Sequence, residues 1–386
     1  MRQTPQNAGL LVLIAAMLVA AVLGSIHAFS VFLEPLEAQY SASRSAVSLT
    51  YSMALVALTG AVLLGPRIFG RWPATGFIAL TSGLAACGAA LAALAGSLTT
   101  VWLGYSLVFG AANGLGYGFG LQIAAQVNPG REGFAMGSVT AAYALGAVLS
   151  PALFDLAITA RGVSFAMASL SAVLIVTGTL SAALMHAANA RFQASSQSAS
   201  TAPAQRRTQQ LLWLGYFGGV LAGLMVIGHA AGIVASFRPG LATWLAPVVI
   251  AACNLVGSLV GGRLADRMPL GRVLGGLAML TSLSLAALAS FGAYGGVLIC
   301  FGVLGFAYGG TIAAYPAAVA KLFGIQASAQ VYGRIFTAWG AAGLLGPWFA
   351  GYLFDLIGEY RIALLVAAVI GLVSVAAVCA VFRRAD

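Results

Sequence analysis

Two histidines lie where ionisable side chains are rare. His27 falls in the apolar stretch 9–33 and His229 in 210–236, and they are the titratable groups, tyrosine and cysteine aside, near the middle of long hydrophobic runs. An unperturbed histidine titrates near pH 6.5, so either ring could bind a carboxylate when protonated and release the proton later. The same side chain can instead stay neutral and hydrogen-bond between helices. Neutral polar and aromatic residues accompany them in similar runs: Asn113, Asn254, Tyr117, Tyr308 and Trp339. These could wall a site for a small, partly apolar solute, or simply pack and bond neighbouring helices. Arg334 reads as an anion contact or as an anchor whose head snorkels to the interface. Asp155 and Asp355 close apolar runs and read as caps or gate contacts.

The elements that position these groups follow from composition. Of 386 residues 61% are hydrophobic and 7% charged, where soluble domains carry about 25% charged residues. Such a chain cannot cover its surface with polar groups in water. The apolar runs are continuous rather than alternating, which excludes a β-barrel and predicts transmembrane helices. Expected spans are 9–33, 45–65, 74–96, 99–122, 133–156, 162–186, 210–236, 241–261, 273–291, 294–316, 331–354 and 361–382. What remains is too short for a soluble catalytic domain. Cys87, Cys253, Cys300 and Cys379 each lie in an apolar run and read as free, packed thiols. Arg2 ahead of the apolar run from Leu10 is the start of an uncleaved first helix rather than of a secretory signal, because further spans follow at once.

The net charge of +10 points to topology rather than to nucleic acid. With the N-terminus cytoplasmic, fourteen of the 18 basic residues fall inside, leaving Arg44, Arg161, Arg238 and Arg361 outside. That bias places both termini in the cytoplasm. The stretch 188–209, rich in Ser and Gln and ending in Arg206 and Arg207, reads as a cytoplasmic linker between halves 1–187 and 210–386. The halves repeat one another. Leu153-Phe154-Asp155-Leu156 ends one span and Leu353-Phe354-Asp355-Leu356 another, with Thr140, Gly146 and Pro151 upstream of the first and Thr337, Gly343 and Pro347 upstream of the second. Duplicated halves of this kind frame a solute site near the bilayer midplane in secondary transporters.

One loop carries a known signature. Gly262-Arg263-Leu264-Ala265-Asp266-Arg267, followed by Gly271-Arg272, resembles the loop motif of the major facilitator superfamily, with two extra residues before the final Gly-Arg. The resemblance implies an all-α integral membrane fold of twelve transmembrane helices in two pseudo-symmetric six-helix bundles. It also implies a clamp by Asp266, Arg263 and Arg267, which physics allows: a carboxylate can face a helix N-terminus and arginines can bridge carbonyls or carboxylates. The alternative is a set of charges that anchor the loop among lipid headgroups. The first-half copy keeps Arg67 and Arg71 but has no acid, so any clamp there is weaker or differently built.

Within the superfamily the chain resembles the monocarboxylate transporter and oxalate:formate antiporter branch. The likeness rests on Gly24–Leu33, Ser43–Ser48, Gly114–Gly118, Gly223–Ala231 and Tyr332–Gly340. It implies that His27 and His229, in equivalent spans 1 and 7, line the cavity, and by analogy that Tyr117, Tyr308 and Trp339 wall it. The branch's cation positions fall here near Ser258 and at Trp339, so its anion clamp is missing and a doubly charged substrate is disfavoured. The expected activity is secondary transport of a small organic anion such as a monocarboxylate, with His27 and His229 as proton-coupling candidates. The alternative is export or import of a larger weakly charged compound, a drug, vitamin or siderophore; a non-transporting membrane receptor would need an extramembranous domain. Gly-rich runs such as Gly114–Gly118 lack a βαβ context, and no Walker, zinc-ligand or nucleophile pattern occurs. The chain therefore reads as no enzyme, with no cofactor or metal. Its expected partners are a small solute, a proton and the lipid of the inner membrane, and it is expected to act as a monomer.

Overall fold

A computed structural model describes residues 8–128, 132–192, 203–237, 243–290, 294–323 and 325–382, and every regular element among them is helical. Two compact units form. The first holds the described residues up to Ala42 and from Met53 to Phe192. The second holds Ser43–Ser52 and the described residues from Pro203 onward. Of the expected linker, 193–202 lie outside the described residues and 203–209 form the first turns of a helix.

In the first unit the chain runs as α1 (Ala8–Leu23), a 3-10 segment (Gly24–Phe32) and α2 (Leu33–Tyr40), without a break between them. Then come α3 (Arg44–Leu64), whose first turns as far as Ser52 belong to the second unit, two short 3-10 turns (Gly65–Arg67 and Phe69–Arg71) and α4 (Ala74–Ala93). A one-turn α5 (Leu98–Val101), a π-helical stretch (Trp102–Phe109) and α6 (Gly110–Gln126) make one further helical segment. The last element, α7 (Glu132–Ala187), has 56 residues. Straight, it would run about 84 Å against a hydrocarbon core of about 30 Å. Gly162, at φ +83°, breaks it into two, and the left-handed region costs glycine nothing.

The second unit contains α8 (Pro203–Phe237), α9 (Leu245–Arg267), α10 (Leu270–Leu288), α11 (Tyr294–Phe323), α12 (Ile325–Ile357) and α13 (Arg361–Phe382). Ten helices among the described residues are long and apolar enough to cross a membrane. That tally takes the broken α7 once and omits 98–126, where the π-helical stretch interrupts the α-helix. Counting the two arms of α7 and the 98–126 segment separately gives twelve helical segments among the described residues.

Helix contacts within each unit are made by small residues. In the first, a Cβ on Gly110 of α6 would lie 2.6 Å from the Ala54 carbonyl oxygen of α3. In the second, α9 and α11 approach through Gly257, Gly261, Gly305 and Gly310, and a Cβ on Gly261 would lie 2.5 Å from the Gly310 Cα. Dispersion between close backbones replaces the hydrophobic effect that lipid tails cannot supply. Side chains that face away stay apolar: Leu153, Leu156, Ile299 and Val369 are all more than half exposed.

The first-half loop that lacks an acid is held differently. The Phe69 ring meets Phe77 at 5.3 Å, Phe119 at 5.5 Å and Phe192 at 5.5 Å, while Arg67 and Arg71 are exposed. The aromatic cluster supplies the anchorage that an ion pair would otherwise give.

Neighbouring glycines provide a test of helix contact. Gly261→Ala forces atoms against fixed backbone and is expected to cost about 1–3 kcal/mol. Gly262→Ala meets open space and should be neutral or stabilising by up to about 1 kcal/mol. Thermal unfolding of the two variants in detergent checks this, and equal effects would refute close glycine packing as the source of stability.

Candidate functional site

His27 lies in the 3-10 segment at the middle of the first span and is half-buried. Mid-helix 3-10 stretches often mark functional or strained positions. This one is pressed by α7, whose backbone approaches because Gly24 and Gly146 have no side chains. A Cβ on Gly24 would lie 2.8 Å from the Tyr143 carbonyl carbon, and one on Gly146 would lie 2.7 Å from that of Ala21. Small residues of α1, α6 and α7, Ala16, Ala20, Ala124 and Ala142 among them, pack beside it, with Tyr117 and Tyr143 at the edge of that core.

The result is a connected polar cluster in the first unit. The His27 ring meets Tyr143 edge-on at 5.7 Å, and Tyr143 meets Tyr117 at 4.6 Å. Tyr143 donates its hydroxyl to Asn113 Oδ1 at 3.1 Å, and Asn113 Nδ2 donates to the Leu23 carbonyl at 2.7 Å, where α1 gives way to the 3-10 segment. The Tyr117 hydroxyl lies 3.2 Å from Thr140 Oγ1. Asn113 is fully buried and has both a donor and an acceptor engaged, so its first role is to hold the helices. His27, Tyr117, Thr140 and Tyr143 are only half-buried. Sequence reasoning missed Tyr143; its place one helical turn after Thr140, in the repeated segment, was the available signal.

In the second unit the structure joins Tyr308 and Trp339 directly. Trp339 Nε1 donates to the Tyr308 hydroxyl at 2.8 Å, and Phe336 stacks on Trp339 at 5.3 Å and 8°. Tyr308 is seated against Gly223 of α8, where a Cβ would run into its ring and lie 2.9 Å from its Cγ. Ser258 Oγ is within reach of Asn254 Oδ1 at 3.3 Å and the Gly309 carbonyl at 3.2 Å. The two positions where the resemblance implied cations thus carry a hydroxyl and an indole, each bonded within the unit.

His229 is placed apart from this pair. It is fully buried, with Nε2 2.7 Å from the Pro347 carbonyl and Nδ1 3.0 Å from the Tyr360 hydroxyl. Both ring nitrogens are engaged by the protein, which fits the hydrogen-bonding alternative stated for it above. Tyr360 was not foreseen either; it directly precedes the last span and resembles an interface aromatic in sequence.

The expected gating residues are positioned as follows. Arg263, Arg267, Arg67, Arg71 and Arg334 are exposed, and the side chain of Asp266 lies outside the described residues. Asp355 does act as a cap: its carboxylate accepts from the backbone N–H groups of Arg44 at 3.0 Å and Ser45 at 2.9 Å, at the start of α3.

The first-unit cluster predicts unequal losses. Asn113→Ala leaves buried partners unsatisfied and is expected to cost about 1–3 kcal/mol, whereas Tyr143→Phe removes one hydrogen bond at about 0.5–1.5 kcal/mol. Chemical or thermal unfolding of the purified variants measures both, and a larger loss from Tyr143→Phe would overturn the assignment of Asn113 as the helix tie.

The chain has recognisable relatives. It is 25% identical over 346 residues to the Uncharacterized MFS-type transporter YhjX of Escherichia coli (strain K12), covering 86% of this chain and 84% of that one. It is 41% identical over 87 residues to the Apicoplast pyruvate carrier 1 of Toxoplasma gondii, a match covering 22% of this chain and 16% of the carrier. Among solved structures, a bacterial homolog of the human lysosomal transporter Spinster superposes in its inward-facing occupied form with a TM-score of 0.76, at 14% identity and 98% coverage of both chains. The unoccupied form gives a TM-score of 0.72 at 13% identity. At that identity the likeness establishes the fold. The sequence itself matches the Major Facilitator Superfamily over residues 10–315 and again over 213–386, and the chain belongs to that superfamily of membrane transporters.

Proposed function

We propose that the chain moves a small monocarboxylate across the cytoplasmic membrane by alternating access, coupled to a proton and acting as a monomer with both termini in the cytoplasm. The observation that carries this reading is the half-buried cluster of His27, Tyr117, Thr140 and Tyr143 on a 3-10 segment within a membrane span. A protonated His27 supplies one positive charge, which matches one carboxylate. The hydroxyls of Tyr117, Thr140 and Tyr143 are donors able to orient it, and the tyrosine rings accept a short apolar tail. When His27 loses its proton the attraction is lost and the acid is released with it, so solute and proton move together. The local likeness to a protein named as a pyruvate carrier favours the same solute class. The arginines at 67, 71, 263, 267 and 334, with Asp266, serve the conformational change.

A second reading has its own support. Neutral, internally bonded groups at Ser258 and Trp339 suit a larger, weakly charged compound such as a drug or vitamin.

Uptake of labelled pyruvate into vesicles holding the purified protein separates the two. With an inward proton gradient the label should accumulate, a protonophore should abolish the accumulation, and His27→Ala should lower the rate about tenfold or more, a loss of about 1.4 kcal/mol in transition-state stabilisation. No accumulation of any small acid, with flux of a bulky weakly charged compound, would replace the first reading by the second.

A further inference from the structure

The start of α3 is bonded into the second unit through a chain of polar side chains that transport as described does not use. Arg44 is buried, and its Nη1 donates to the Tyr360 hydroxyl at 2.7 Å. The Tyr360 hydroxyl lies 3.0 Å from His229 Nδ1, and His229 Nε2 lies 2.7 Å from the Pro347 carbonyl. Donor chemistry fixes the direction of the two outer bonds. A carbonyl only accepts, so Nε2 carries a hydrogen; a guanidinium only donates, so the Tyr360 oxygen accepts. With the imidazole neutral the Tyr360 O–H points to Nδ1, and the chain runs from Arg44 through Tyr360 and His229 to Pro347.

We infer that this chain is a proton-operated latch, in which proton uptake at His229 Nδ1 displaces Tyr360 and Arg44 and frees the first turns of α3. A proton on Nδ1 turns that nitrogen into a donor. The Tyr360 oxygen would then face two donors, and imidazolium and guanidinium would share one phenol oxygen in a buried setting, where like charges repel strongly. Among the described residues, these groups stand around His229. From α3 come Arg44 and, over Gly228, Tyr51; from α12 the Pro347 carbonyl and the Asp355 carboxylate, which is engaged by the backbone of Arg44 and Ser45; from the residue preceding α13, Tyr360. Asp355 is the acid in this set, and its place on the α3 backbone makes it a cap for the latched segment.

The segment is seated by missing side chains. A Cβ on Gly232 of α8 would lie 2.8 Å from both Arg44 Nη1 and the Tyr360 hydroxyl. One on Gly351 of α12 would lie 2.8 Å from Ser48 Oγ and 2.9 Å from the Ser45 Cα. Arg44 also stands 4.5 Å over the Phe354 ring, which packs on Tyr360 at 4.7 Å. Movement of Tyr360 therefore disturbs every side-chain contact described for Arg44. The latch rests on the proposed proton coupling for its use in transport, but its operation is read without any solute.

The test uses the full chain with its four cysteines changed to serine and Ser48→Cys added, since Ser48 is buried on the latched face. Labelling by a water-soluble maleimide, with rates corrected for thiol ionisation against a free cysteine peptide, should be about fivefold or more faster at pH 5.5 than at 7.5. His229→Gln, which keeps the donor to Pro347, should remove that difference, while Tyr360→Phe and Gly351→Ala should label fast at both values. Should Ser48→Cys fold poorly, Ser52→Cys, also buried in the same segment, takes its place. A pH difference that survives His229→Gln, or none in the parent, overturns the latch. A protein that shows the pH-gated labelling yet takes up no small acid keeps the latch and loses the proposed substrate, so the two failures are distinct.

Discussion

In hydrocarbon, an N–H or C=O without a partner has no water to turn to, and each one costs several kcal/mol. This single constraint makes every regular element of the described chain a helix, and it dictates how departures from the helix are handled. Where α1 tightens into the 3-10 segment, Asn113 donates to the Leu23 carbonyl. Where the 98–126 segment widens into π-helical turns, the hydrogen bonding stays within the segment. Once backbone groups are satisfied locally, helices gain most by approaching closely, and glycines in α6, α9 and α11 permit backbone contact that larger side chains would block.

The same constraint explains why polar side chains are few and why many of the buried hydroxyls turn back on the backbone. Thr59, Thr81, Thr281 and Thr311 return their hydroxyls to carbonyls of their own helix, which silences them. Other groups bond across elements, among them Asn113 with Tyr143, Trp339 with Tyr308, Trp213 with Thr337, and Arg44 with Tyr360 and His229. A membrane protein can tolerate a charged or titratable group only where such a network exists. The location of networks is thus the most direct guide to function that the fold offers.

Much of the architecture was legible in sequence because hydropathy and charge bias are summed over many residues. Helical segments fall where apolar runs predict them, and the repeated Leu-Phe-Asp-Leu segments end the first arm of α7 and α12. Tyr308 and Trp339, both expected in a cavity wall, are hydrogen-bonded to each other. What hydropathy could not give was partner choice. Arg44 reads in sequence as one of four basic residues outside the membrane, yet it is buried, because glycines at 232 and 351, far away in the chain, leave room for it. Tyr143 and Tyr360 were missed for the same reason: an aromatic hydroxyl acquires a role from what stands opposite it, and single-sequence patterns hold no record of that. The acid-free first loop shows the converse. Its charges suggested a weakened clamp, whereas Phe69 solved the anchorage by packing.

The break in α7 has a consequence for how the protein is made. Between its two arms there is a single left-handed residue, Gly162, with Arg161 directly before it. No loop exists there to be threaded across the bilayer on its own. As the nascent chain leaves the ribosome, the first arm cannot settle and wait with a tail trailing on the far side. Both arms must enter the translocation machinery and partition into lipid together, as one helical hairpin.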